Sequence, residues 1–212
     1  MLQEFAQQIE DTAQETIDNI HTALPGKIIS FDSEKCTAKV KPIGRFLTPE
    51  DELMDYPIIT EAPVMFPFCA KVEAGIFFPV KPGDFCMIII SETELDEWRT
   101  DAISDATLRF DLTSGIVIPG LLKSGTGFAK EADNDNSVII ASKQTRVKIG
   151  KEKVETYVKD ALVTTVKKGK IEIIGDVSIK GNVNCTGDVV ASSKSLVNHT
   201  HTGVHGGTTS PN

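Results

Sequence analysis

Three of the four histidines in this 212-residue chain lie within seven residues of one another near the C-terminus, at His199, His201 and His205. Imidazole is a ligand for first-row transition metals. Along an extended chain alternate side chains share a side, so His199 and His201 point the same way. One chain then offers two donors, too few to hold an ion. Three chains on a three-fold axis would bring six imidazoles together, a set suited to an octahedral first-row metal rather than to zinc, whose protein sites are usually four-coordinate. His205 falls outside the H-x-H pair and is given no role. An H-x-H in a tail of small polar residues (Gly206-Gly207-Thr208-Thr209-Ser210-Pro211-Asn212) means little by itself, so the segments before it must decide whether three copies meet.

Those segments carry a repeat. Glycine recurs at Gly169, Gly175, Gly181 and Gly187, framing four six-residue units, and a fixed period is read before anything else. Apolar or small residues fill the third and fifth places of each unit: Ile171/Ile173, Val177/Ile179, Val183/Cys185 and Val189/Ala191. Glu172, Ser178 and Asn184 stand between them, giving the period-two alternation of a strand with one buried face. The alternation runs back, without regular glycines, through Val138/Ile140, Val147/Ile149, Val154/Thr156/Val158 and Leu162/Thr164/Val166. Residues 133–198 are therefore expected to form a β solenoid. A single-chain left-handed β-helix uses about three hexads per turn, so four hexads make little more than one turn and leave both ends uncovered. An intertwined trimeric β-helix, or β-prism, supplies the missing faces from two further chains and is favoured.

Upstream the pattern differs. Leu2, Phe5, Ile9, Ala13, Ile17 and Ile20 are spaced for an amphipathic helix over about 2–22, which Pro25-Gly26 is expected to close. Residues 1–24 hold five acids and no Lys or Arg, so this helix suits a protein partner, or its own domain, better than an anionic membrane. From 26 to about 120, Lys27–Phe31, Cys36–Val40, Ile58–Thr60, Ile76–Val80, Phe85–Ile90 and Ile116–Ile118 read as short strands between turn signals. They suggest a small OB-like β-barrel. Phe66-Pro67 and Phe78-Pro79 read as core residues that anchor turns. The fold expected is mainly β, in four parts: an N-terminal helix at 1–25, the OB-like domain at 26–132, the triple-stranded β-helix at 133–198 and a metal-binding apex at 199–212.

Composition excludes several functions. A net charge of −8 does not suit a protein that grips phosphate backbones through Lys and Arg, so nucleic acid is not an expected partner. No run of about eighteen apolar residues and no signal-peptide pattern occurs, which points to synthesis in a cytoplasm. Cys36, Cys69, Cys86 and Cys185 show no metal-ligand spacing and are expected to be buried free thiols. Neither a Gly-x-Ser-x-Gly elbow nor a P-loop nor an H-E-x-x-H is present, so no enzyme and no small-molecule substrate is expected. A hexapeptide-repeat acyltransferase would need its histidine between coils, whereas His199 and His201 follow the repeat and His21 lies in the helix segment.

Thr186-Gly187-Asp188-Val189-Val190-Ala191 followed by Ser195-Leu196, Asn198-His199 and His201 resembles the tip of the bacteriophage central tail spike, or baseplate assembly (membrane-piercing) spike, family. Earlier residues resemble its subgroup with an OB-fold N-terminal domain: Gly26, Ile28 and Phe31; Thr37, Ala38 and Val40; Ala62-Pro63-Val64 with Phe66-Pro67; Phe78 to Asp84; Leu95-Asp96 with Trp98; Ser104-Asp105-Ala106; and Ile118-Pro119-Gly120. Two departures stand out. Cys69 to Ala74 replace a glycine-rich stretch, leaving Gly75 alone, and Ser193-Lys194 stand where a glycine usually precedes Ser-Leu.

The resemblance implies a homotrimeric, non-enzymatic spike of a phage tail baseplate, with one iron ion per trimer held by His199 and His201 of three chains. It further implies a hub or tail-tube partner at the N-terminal region, a host outer membrane at the tip, and a place in the virion. A structural adaptor or a tail-fibre protein is the alternative.

Overall fold

The computed structural model describes residues 2–18, 20–48, 52–101, 108–200, 202–203 and 206–207. It is mainly β, with a short N-terminal helix and a curled half-barrel sheet, and divides into two compact units, Met1–Gly125 and Thr126–Asn212. No helix among the described residues is long and apolar enough to cross a membrane.

The first unit begins with helix α1 (Leu2–Asp18). It ends earlier than the spacing suggested, and Pro25-Gly26 lie inside the next strand instead of closing the helix. Strand β1 (Ala23–Asp32) is long enough to pair on two sides. Its first half runs antiparallel to β8 (Phe85–Ile90), from Ala23↔Ile89 to Lys27↔Phe85, and its second half to β2 (Thr37–Pro42), from Gly26↔Pro42 to Asp32↔Thr37. The β1–β2 turn is held by the Asp32 carboxylate, which accepts from the Glu34 and Lys35 amides at 2.9 and 3.1 Å, the local bonding that makes Asp a turn residue. Strand β5 (Ile59–Pro63) adds beyond β2, and β9 (Gly115–Pro119) beyond β8, in the order β5-β2-β1-β8-β9. The sheet curls until its edges meet: Val64 bridges Val117 in parallel, and the Met65 amide donates to the Val117 carbonyl at 2.8 Å.

Alternation along these strands builds the core. Ala38, Val40 and Pro42 of β2 and Cys86, Ile88 and Ile90 of β8 turn inward and are buried with Ile28, Ala62, Val64, Val80 and Val117. Burying a side chain the size of Ile28 or Ile88 stabilises the unit by about 1.5–3 kcal/mol.

Two small hairpins accompany the curled sheet: β3 (Arg45–Leu47) with β4 (Leu53–Asp55), and β6 (Phe68–Cys69) with β7 (Ala74–Gly75). Ile76–Val80 is not a strand. Pro79 has no N–H to give a ladder, and the segment instead delivers Val80 to the core and sets Phe77 and Phe78 each 5.3 Å from the Phe66 ring. Phe66 packs on the core, whereas Phe78 stays largely exposed. Gly75 is required by a close approach: a Cβ there would lie 2.4 Å from the Pro67 carbonyl oxygen. A short helix α2 (Asp96–Thr100) carries Trp98 and Arg99, the latter donating to the Glu61 carbonyl at 2.7 Å. Ser104-Asp105-Ala106 lie outside the described residues.

The second unit opens with helix α3 (Gly127–Asn134), capped by the Thr126 hydroxyl, which accepts from the Ala129 amide at 3.2 Å. A five-stranded antiparallel meander comes next: β10 (Val138–Ser142), β11 (Thr145–Ile149), β12 (Lys153–Val158), β13 (Ala161–Lys167) and β14 (Lys170–Ile173). Three of its reversals are two-residue turns containing left-handed residues, Lys143, the pair Lys159-Asp160, and Gly169 with φ of +75°. Such turns send each strand back beside the last, where a single-chain solenoid would coil it onward.

Four cysteines are free, but only Cys86 is buried. Cys36 is half-buried and Cys69 and Cys185 are exposed, which corrects the expectation of burial for the latter two.

Candidate assembly face and histidine tip

Residues directly opposite in an antiparallel ladder share a face, so the meander's registers sort its side chains. One ladder reads Val138↔Ile149↔Val154↔Val166↔Ile171 and the next Ile140↔Val147↔Thr156↔Thr164↔Ile173. Ten positions across five strands are thus apolar save for two threonines, and those two bond hydroxyl to hydroxyl. The other face reads Ile139↔Lys148↔Glu155↔Thr165↔Glu172 and Ala141↔Arg146↔Tyr157↔Leu162. Leu162 was expected beside Thr164 and Val166; an irregularity at Val163 in the β12–β13 ladder moves it to the face of Tyr157.

The polar face is covered and the apolar face is not. Helix α3 lies over the polar side: Glu131 reaches Arg146 at 3.3 Å and Lys148 at 3.2 Å, Asp135 also bonds Lys148, and Arg146 stacks 4.0 Å from the centre of the Tyr157 ring. Asp135, then Glu131, hold the Lys148 ammonium protonated beyond its usual range. Glu155 and Thr165 are buried on this side. Across the sheet, Ile140, Ile171 and Ile173 are 57%, 67% and 55% exposed. These three isoleucines are thus left in water while Arg146, Lys148 and Glu155 are sheltered, the reverse of an ordinary sheet.

The apolar pattern of the sequence continues past the sheet. Residues 174–189 form no strand or helix, and Val177, Ile179, Val183 and Cys185 are all exposed. Gly175 and Gly181 hold φ of +134° and +147°, a backbone that side-chain-bearing residues avoid, so two of the repeat glycines are demanded by bends.

At its end the chain makes a hairpin, β15 (Val190–Ala191) with β16 (Lys194–Ser195). Ser192 and Ser193 form its turn with φ of +49° and +65°, so the bend that glycine usually supplies is made here by serines. The Asp188 carboxylate fastens the segment after the hairpin by accepting from the Val197 amide at 3.2 Å. Hydrogen bonding by the Ser195 hydroxyl, then by local amides, keeps Asp188 below the usual carboxylate range.

His199 comes two residues later, half-buried, with Nδ1 2.8 Å from the Leu196 carbonyl and 3.1 Å from the Ser195 carbonyl. A carbonyl only accepts, so Nδ1 donates its proton, and in the neutral ring the lone pair then belongs to Nε2. That tautomer is the one a second shell typically fixes in a metal-ligating histidine. His201 and His205 lie outside the described residues, and among the described residues no group of three or more His, Cys, Asp or Glu could hold a metal ion. One chain therefore contributes one oriented imidazole to the described tip. Sequence spacing identified His199; the carbonyl pair that orients it carries no sequence signal, because backbone atoms are common to every residue.

No curated protein matches this chain. Residues 24–120 are similar to the family described as Phage protein Gp138 N-terminal domain, a likeness that spans the curled sheet from β1 to β9 and supports a phage structural protein.

Proposed function

We propose that this chain is the homotrimeric central spike of a contractile phage tail baseplate, or of a related injection machine, which pierces the host envelope when the sheath shortens. The observation that carries this reading is the pair of apolar ladders left exposed across the β10–β14 sheet and extended by the hexads. Three such sheets, each turning its apolar face to a common axis, would bury one another as the sides of a β-prism, with the α3-covered faces outward. The likeness of residues 24–120 to a phage protein domain supports the setting. The order β5-β2-β1-β8-β9 and the Val64↔Val117 bridge support an OB-type barrel in the first unit.

His199 and His201 of three chains would hold the metal, iron by the family resemblance. The ion would supply cross-linking only, tying together three tails made mostly of glycine, threonine and histidine. This chain's own share is positional: the Ser195 and Leu196 carbonyls orient the His199 ring, and the 188–197 hydrogen bond anchors the loop. A tip of small polar residues exposes little apolar surface to hold it in lipid. No reaction is catalysed.

Purified trimer should contain about one iron per three chains, and His199→Ala with His201→Ala should abolish it while the barrel stays folded. Particles should carry the protein on the tail axis at the end distal to the head. Labelling on peripheral fibres or in the capsid, or infection by particles lacking the protein, would overturn the reading.

A further inference from the structure

Helix α1 presents an apolar arc that its own unit leaves open: Phe5, Ile9 and Ile17 are 62%, 55% and 60% exposed. Most of a helix's stability in a protein comes from packing its amphipathic face, so this arc calls for an occupant. In a heptad frame, Ala6 and Ala13 take a positions and Ile9 and Thr16 take d positions, with Phe5 at g and Ile17 at e. The Thr16 hydroxyl bonds back to the Thr12 carbonyl at 2.8 Å, so it would enter a seam already satisfied.

We propose that the three α1 helices of the assembly pack on one another as a short parallel three-stranded coiled coil, each arc covered by second copies of this chain. The inference rests on the trimeric reading above. Its own support is the placement of charge. The first 24 residues hold five acids and no base, which would forbid close association if the acids flanked the seam. Glu4 and Asp11 instead fall at f, the position farthest from the seam, where three helices leave them in water. Of the acids only Glu10 is at a flanking position, e, and its neighbour across a parallel interface is Phe5 at g, so no acid faces an acid.

Tethering supplies the rest. Only a short link separates Asp18 from Ala23, where β1 begins, so trimerised chains hold their helices at high effective concentration and a weak seam suffices. The small alanines at a allow close approach, while Phe5 and Ile17 cover the seam from the sides.

Single cysteines at Ile9 and at Asp11, each in full-length protein carrying Cys69→Ser and Cys185→Ser, separate the possibilities. On mild oxidation Ile9→Cys should link about two in three chains as dimers, the third thiol lacking a partner, and Asp11→Cys should link few. Equal, low linkage in both variants, with light scattering still reporting a trimer, would overturn the coiled coil and assign the arc to a different protein. As a second measurement, Ile9→Asp should lose helical ellipticity while keeping its trimeric mass; unchanged ellipticity would equally refute the proposal. A monomeric parent would instead refute the trimer, and this inference with it.

Discussion

Replacing Ile173 by aspartate tests the assembly face with little disturbance inside one chain. Ile173 stands opposite Thr164 on β14, the last strand of the sheet, and is 55% exposed in a single chain. Covering the remaining half of its surface is worth about 0.8–1.5 kcal/mol per chain, taking 1.5–3 kcal/mol for a whole isoleucine. Ile173→Asp forfeits that gain three times over. It also carries three carboxylates into an apolar seam, at an effective cost of several kcal/mol for each ion. The sum is on the order of 10 kcal/mol or more against the trimer, and every 1.4 kcal/mol is tenfold in the association constant. The folding of the first unit should not change, because its core of Ile28, Val40, Ile88 and Val117 shares no residue with the sheet.

Size-exclusion chromatography with light scattering at micromolar concentration reads the result: parent trimeric, Ile173→Asp monomeric, and the melting of the first unit still present. Glu172→Gln, one residue away on the opposite face, should stay trimeric. If Ile173→Asp retained the parental mass and stability, the exposed ladders would not be the interface. If Glu172→Gln dissociated as well, sequence position and not face would be the cause.

Thiol labelling separates the cysteines. Burial pushes the Cys86 thiol up to about 11, so at pH 8 an alkylating reagent should modify exposed Cys69 and spare Cys86 until the barrel unfolds. Cys185, exposed in one chain, should be protected in the trimer and become reactive in Ile173→Asp; equal reactivity in both would place it off the axis. Ser193→Gly relieves a left-handed φ of +65° and should stabilise the tip by about 1 kcal/mol per chain; a lower thermal midpoint would show that the serine is favoured there for another reason.

In the barrel, the strands that alternation and clean turn residues marked, β1, β2, β8 and β9, are where the sequence puts them, because one face of each is buried and nothing competes. Ile76–Val80 shows how composition misleads. Its residues are apolar and β-favouring, yet Pro79 cannot donate and Val80 is drawn inward to plug the core, so contact replaced ladder bonding. The β3–β4 hairpin was illegible for the opposite reason. Arg45–Leu47 and Leu53–Asp55 are too short for a period to show, and what joins them to β2 is a charge contact, Lys41 and Arg45 on Asp55 at 2.7 and 3.3 Å. The end of α1 was misplaced because Pro25-Gly26 signal a break in either element, and the first residues of β1 tolerate them as well as a helix terminus would.

In the second unit the period-two pattern told which residues share a face but not which face meets water. Alternation alone assigns Val138, Val147, Val154 and Ile171 to an interior, yet within one chain Val147 and Val154 are only half-buried and Val138 and Ile171 are exposed. What covers a sheet face here is decided by charge: Arg146 and Lys148 stand on the side where α3 offers Glu131 and Asp135, and the ion pairs and the Tyr157 ring keep those long cations 12% and 14% exposed. With its only described helix committed to the polar side, the unit has no element left for the apolar side. Val138, Ile140, Ile171 and Ile173 of the ladders are then left exposed among the described residues, and in the hexads that follow Gly175 and Gly181 bend the backbone while Val177, Ile179 and Val183 are exposed as well. On the proposed trimeric reading, the His199 imidazole, oriented by two backbone carbonyls, is one of the donors that assembly of three copies would bring together.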